Sequence, residues 1–209
     1  MDRRQTRIHI GTRGWHYPHD VSGFFPEDLP PDWRLELYTT QFHALELPPQ
    51  WALPDSEDVA QWEAETLEDA ALALPLVGDW GQHLAAGGDL RPLAKALAPL
   101  EDKLAVVLWP QTPSTQAEDF WPGVYHVDSA TGPLTELPIG TPEPQGGFLY
   151  WRLEGPGRYH PETLETFASH LLQRAAKGCE SFVFFGEPSY ALLDAGILQE
   201  AVDRHLAAS

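Results

Sequence analysis

Short runs of apolar residues alternate along this chain with segments whose apolar positions recur every three or four residues. The runs predict strands over residues 7–12, 44–47, 70–74, 103–109, 124–127, 147–153 and 181–185. Most are apolar at nearly every position, as strands covered on both faces are. The periodic segments predict helices. The first covers residues 31–42, with Trp33, Leu37, Tyr38 and Phe42 inward. Ser56 caps the second, with Glu57 and Asp58 favourable in its first turn. Asp89 caps the third, where Leu90, Leu93, Ala94 and Leu97 make one stripe. Pro161 opens the clearest helix, in which Leu164, Phe167, Ala168, Leu171, Leu172 and Ala175 fall at helical spacing and Gly178 is the stop. A last helix covers residues 190–206. Strand and helix in alternation predict an α/β fold with a mostly parallel sheet.

Residues 110–146 break that alternation. They hold one plausible strand and no convincing helix. Within them residues 131–147 are punctuated by proline and glycine, where missing amide donors and ring clashes block helix continuation. The chain has 209 residues, enough for one domain over 1–209 with a substantial core. A complete eight-fold β/α barrel takes about 250. No internal repeat of fixed period is present.

Composition narrows the function. The formal charge of −18 disfavours loose binding to nucleic acid or an anionic membrane, because phosphate contact needs Lys and Arg to release counterions, and only 13 basic residues are available. A locally basic pocket for a phosphorylated ligand is compatible with it. Cys179 is the single cysteine, so no internal disulfide can form. With no apolar signal core at the N-terminus and no long apolar span, the expectation is a soluble, cytoplasmic protein without a membrane partner.

The most telling stretch is Ile8-His9-Ile10-Gly11-Thr12-Arg13-Gly14-Trp15-His16-Tyr17-Pro18. A β-prone run ends in a tight turn and then presents aromatic and imidazole side chains at the strand's carboxyl end, where α/β folds build their sites. Trp15, His16, Tyr17 and His19 are placed to stack on a sugar or base, or to pack over a barrel mouth. Arg152 and Glu154 share a strand face. Arg152 can clamp a phosphate or carboxylate through its planar fork, and Glu154 can act as general acid or base; the pair also reads as an internal ion pair. Glu46 ends a strand among apolar residues and needs a partner, either a ligand or a core cation. Asp128, with His126 two residues before it, reads as a ligand contact, a metal half-site suited to Zn or Mn, or ordinary turn chemistry. Tyr159 and His160 stand at a helix start, where backbone amides can bind an anion or His160 can fill the cap position. No phosphate loop, dinucleotide fingerprint, zincin motif or nucleophile elbow is present.

The opening turn resembles the start of the YecE-like family (domain of unknown function 72), and the resemblance continues along most of the chain in order. Phe24-Phe25-Pro26-Glu27-Asp28-Leu29-Pro30, then Tyr38, Phe42 and His43–Glu46, look like its first helix and second strand. Leu53-Pro54 and the helix reaching Trp62 fit the next segment. Leu72–Pro75 looks like the third strand, and residues 97–104 and 106–110 are similar to the approach to the fourth and to that strand itself. Tyr150–Gly155 resembles the seventh and Phe182–Phe185 the eighth. Several positions depart from the family pattern. Leu47-Pro48-Pro49-Gln50-Trp51 replaces a polar stretch after Glu46, Ala73 a lysine, Glu154 a histidine, and Gly186-Glu187 asparagines. The fifth-strand unit is missing between Trp109 and Val124.

The resemblance implies a TIM-type β/α barrel, here incomplete, with about seven mostly parallel strands and one β/α unit lost. It assigns no reaction. The expected site lies at the carboxyl ends of the strands and takes a small anionic, phosphorylated or sugar-like ligand. Glu46 and Glu154 are its acid/base candidates, and Arg152, Trp15, His16, Tyr17 and Asp128 its ligand contacts. Two other expectations stand beside it. One is a non-catalytic binding or assembly module, with homo-oligomers covering the missing unit. The other is a metal-dependent phosphodiesterase-like hydrolase. Neither a cofactor nor a metal is specified by any motif.

Overall fold

A computed structural model describes residues 8–110, 116–128, 147–155 and 157–208. Its strands are β1 Ile8–Arg13, β2 Ala44–Glu46, β3 Ala71–Pro75, β4 Leu104–Trp109, β5 Tyr125–Asp128, β6 Phe148–Leu153 and β7 Glu180–Phe185. The helices are α1 Arg34–Thr39, α2 Ser56–Glu65, α3 Trp80–Ala85, α4 Arg91–Leu97, α5 Gln116–Phe120, α6 Pro161–Ala176 and α7 Ala191–Ala207. Every strand pair is parallel, and the sheet order is β5-β4-β3-β2-β1-β7-β6. The sheet curls into a nearly closed, barrel-like ring, an α/β TIM-type barrel short of one unit.

Two apolar layers follow from strand alternation. Side chains facing the ring interior are Ala44, Ala71, Ala73, Val106, Leu108, Tyr150, Phe182 and Phe184, with Tyr125, Val127 and Phe148 beside them. Alanines on β2 and β3 face large aromatics from β6 and β7, so the interior is filled rather than hollow. The opposite faces supply Leu45, Leu72, Leu74, Val107, Trp109, Leu149, Trp151, Val183 and Phe185 to the larger layer under the helices. At the amino-terminal end of the ring, Glu180 receives the Tyr125 hydroxyl at 2.9 Å and lies 2.9 Å from His9 Nε2, and His9 stacks on Phe182.

Helices depart from expectation more than strands do. The first is a short 3₁₀ turn, Pro31–Trp33, followed by α1, and it ends at Thr39 rather than Phe42. Leu35 and Tyr38 carry its buried face, while Trp33 is 63% exposed. Asp55, not Ser56, caps α2, accepting from the Glu57 N–H at 2.9 Å. The short helices α3 and α5 had no periodic signal long enough to read. Most of the proline- and glycine-rich stretch 131–147 lies outside the described residues.

Candidate functional site at the carboxyl ends of the strands

The Gly-Thr-Arg-Gly turn is shaped by close approach. Gly11 faces β2, where a Cβ would stand 1.9 Å from the Ala44 carbonyl oxygen. The Tyr38 hydroxyl wedges in beside it, accepting from the Thr12 N–H at 2.9 Å and donating to the Ala44 carbonyl at 2.8 Å. Gly14 then turns the chain with φ of +79°, a conformation that L side chains rarely adopt. Its N–H donates to the Glu46 carbonyl oxygen at 2.7 Å. These contacts fix Arg13 and Glu46 side by side, in register at the ends of β1 and β2.

Glu46 is the hub. Its side chain is 2% exposed, and its two oxygens accept four hydrogen bonds. Oε1 receives Arg13 Nε at 2.9 Å and Arg152 Nη2 at 3.0 Å; Oε2 receives Arg152 Nε at 2.8 Å and the Tyr150 hydroxyl at 2.5 Å. Tyr150 and Arg152 reach from β6, so the bonds span the mouth of the ring above the interior aromatics. Burial, and then the negative charge of Glu46, holds the Tyr150 phenol well above its ordinary range, which keeps it a donor. Burial opposes the charge on Arg152, but Glu46 outweighs that and raises its pKa. Arg13 also donates from Nη1 to Glu154, which follows β6. A buried carboxylate bonded this fully, by two guanidiniums and a phenol, is satisfied and rigidly held.

Beside this cluster lies a cavity of about 300 Å³, lined by Arg13, Gly14, Trp15, His16, Glu46, the Leu47-Pro48-Pro49 turn and Gly186. Its size falls at the small end of ligand sites. Arg13 is 34% exposed there, so its guanidinium meets both the buried carboxylate and open solvent.

The structure thus brings together Glu46, Arg152, Glu154, Trp15 and His16. It places the other two sequence candidates elsewhere. Tyr17 is buried beneath the turn, its hydroxyl donating to the Arg13 carbonyl at 2.8 Å, and burial pushes its phenol far up. Asp128 pairs in register with Trp109, and His126 with Val107, on the helix-facing side of the sheet. His126 Nδ1 accepts from Trp109 Nε1 at 3.0 Å. Asp128 therefore lies apart from the Glu46–Arg152 cluster, on the sheet face that points to the helices. Among the described residues no group of three or more His, Cys, Asp or Glu side chains is placed to hold a metal ion. Nor is any helix among them long and apolar enough to cross a membrane. His160 is the cap residue of α6.

Arg13 and Tyr150 are the residues that sequence reasoning missed. Each was signalled by spacing: Arg13 lies two residues beyond Gly11 on one strand face, and Tyr150 two before Arg152.

Comparison with known proteins agrees with this architecture. The family model described as "Protein of unknown function DUF72" matches residues 9–125. Two crystal structures of a DUF72 family protein from Enterococcus faecalis V583 share the fold. One superposes with a TM-score of 0.61 at 13% identity, covering 94% of this chain and 95% of that one. The other gives 0.60 at 15% identity, covering 94% and 97%. Comparison with curated proteins finds no match. The family match spans more than half of the 209 residues and includes β1, β2 and the turn that positions Arg13 and Glu46, so this chain belongs to the DUF72 family, whose function is unknown.

Proposed function

We propose that the chain binds a small anionic ligand, phosphorylated or sugar-like, at the carboxyl ends of its strands, with Arg13 and Arg152 as the anchoring cations. The observation that carries this reading is the convergence of two guanidiniums on one buried carboxylate, with Arg13 still open to the cavity. A guanidinium pre-oriented by a buried partner loses little freedom when it meets a phosphate or carboxylate. Glu46, with all four of its acceptor positions engaged, serves as the orienting group. Trp15 and His16 supply the wall against which the apolar body of a ligand packs. Glu154 is the carboxylate at the mouth with lone pairs to spare, and any proton transfer at this site falls to it.

Calorimetric titration with inorganic phosphate and with ribose 5-phosphate tests the reading. The wild-type chain should bind at least one of them, and Arg13→Met and Arg152→Met should each weaken binding at least tenfold while retaining the wild-type circular dichroism spectrum. Arg13→Lys, which keeps the charge and the fold but loses the fork, separates geometry from charge. Absence of binding in the wild type, or unchanged binding in folded Arg13 variants, would overturn the reading.

A further inference from the structure

We propose that Glu154 is a displaceable counter-ion. Its carboxylate occupies, on Arg13, the seat that an incoming anion takes, so the site selects ligands against an internal competitor. This rests on the anion-site reading above and names the residue that sets how strong an anion must be to enter.

The two glutamates of the cluster differ in every respect that governs exchange. Glu46 is 2% exposed and accepts four hydrogen bonds from three side chains. Glu154 is 44% exposed and meets the cluster through Arg13 Nη1. Breaking into the first bond set leaves a buried carboxylate short of its partners; releasing the second exposes a carboxylate to water that already wets it. An exposed ion pair contributes little, because screening and side-chain ordering offset its attraction. A ligand anion can therefore replace it.

Exchange leaves the anchor in place. Arg13 stays tied to Glu46 through Nε when its Nη1 is vacated. The backbone next to Glu154 is held too, since the Gly155 N–H donates to the Tyr159 hydroxyl at 3.1 Å, so only the side chain has to swing. Gly186 flanks the pair with no side chain; a Cβ there would lie 2.9 Å from Arg13 Cδ and 3.4 Å from Glu154 Cγ. The charges complete the device. Two arginines and two glutamates sum to zero with Glu154 seated, and one positive charge is uncovered when it leaves.

Glu154→Gln and Glu154→Ala test this by calorimetry with inorganic phosphate, alongside wild type, at fixed ionic strength. Removing the competitor should tighten phosphate binding about threefold to tenfold, the range expected for an exposed carboxylate that both occupies the seat and repels the ligand. The thermal midpoint is read in parallel to show that each variant is folded. A ligand-holding or merely structural Glu154 moves affinity down or leaves it alone, so the sign of the change decides. Equal or weaker phosphate binding in both folded variants, with Arg13→Met still abolishing it, would overturn the counter-ion role and leave the anion site standing. Phosphate and ribose 5-phosphate both left unbound by all of the proteins would overturn both.

Discussion

The rings of Tyr125 and Phe148 stack nearly parallel, 4.2 Å between centroids and 9° between planes, at the place where, among the described residues, the strand order leaves two edges. β5 and β6 are those edges. Hydrogen bonds close a complete barrel; here two aromatic side chains from the first positions of the edge strands cover the seam. The Tyr125 hydroxyl adds a bond to Glu180 on β7, beyond β6. Because β4 pairs directly with β5, the break in the ring lies between β5 and β6 and not, as the sequence suggests, between Trp109 and Val124; among the described residues side-chain contact spans it rather than a ladder.

Both rings are half-buried. Tyr125→Ala and Phe148→Ala should therefore each destabilise the fold by about 2–3 kcal/mol, below the ~3–5 kcal/mol of a fully buried aromatic. Their effects should not add. A double-mutant cycle should return a coupling of roughly 0.5–1.5 kcal/mol, the range for aromatic pairs. Urea denaturation of the four proteins measures it, and additivity would show that the seam is held by other groups.

The hub at Glu46 makes a graded prediction. Glu46→Gln keeps the shape and removes the charge that neutralises Arg13 and Arg152, and should cost about 3–5 kcal/mol, the effect of breaking a buried pair. Tyr150→Phe removes one of four donors and should cost about 1–3 kcal/mol. Against a typical total of roughly 5–15 kcal/mol, the first variant should be close to unfolding at 37 °C and the second should not. Denaturant midpoints rank them, and a Tyr150→Phe as damaging as Glu46→Gln would contradict the assignment of Glu46 as the centre.

Strand positions were legible because strands covered on both faces must be apolar throughout, and β1–β7 begin and end within one or two residues of the apolar runs. The same property hides which way their side chains point. In β5 the polar His126 and Asp128 alternate with Tyr125 and Val127, but either parity can face a barrel mouth. Sequence alone therefore groups Asp128 with Arg152, although its register partner, Trp109, faces the helices. On β6 a charge at Arg152 marks the inward parity, and Glu46, Arg152 and Glu154 do meet. Arg13 escapes notice because its turn reads first as glycine geometry. Short α3 and α5 lack the two turns of periodicity from which a helix is read.

Gly186 is required by crowding at the mouth. A methyl group at this position would lie 2.9 Å from Arg13 Cδ, and Arg13 cannot retreat without loosening its bond to Glu46. Gly186→Ala should therefore leave stability within about 1–2 kcal/mol of wild type. Anion affinity should fall about tenfold, ~1.4 kcal/mol. Paired thermal and calorimetric measurements on the one variant check both halves, and intact affinity would show that Arg13 has room the packing does not reveal.

Asp194 supplies a stability prediction with a pH signature. The carboxylate is buried at the start of α7, with Oδ2 accepting from the Tyr159 N–H at 3.0 Å and Oδ1 without a hydrogen-bond partner among the described residues. Burial raises its pKa above the ordinary carboxylate value, outweighing the Tyr159 bond and the attraction of Arg158. A raised carboxyl pKa means that the folded chain holds its proton to higher pH than the unfolded chain does. Stability is then lost as pH rises from the unfolded value of about 3.9 through the raised folded value. Asp194→Asn keeps an acceptor for Tyr159 and cannot ionise. It should raise the thermal midpoint at pH 7 by about 2–4 °C, the equivalent of ~1 kcal/mol at this chain length. The gain should shrink as pH is lowered towards 4, where aspartate is increasingly protonated in both states. Calorimetric scans of both proteins between pH 4 and 7 read the difference, and a gain that grows on acidification would show that the Asp194 charge stabilises this fold.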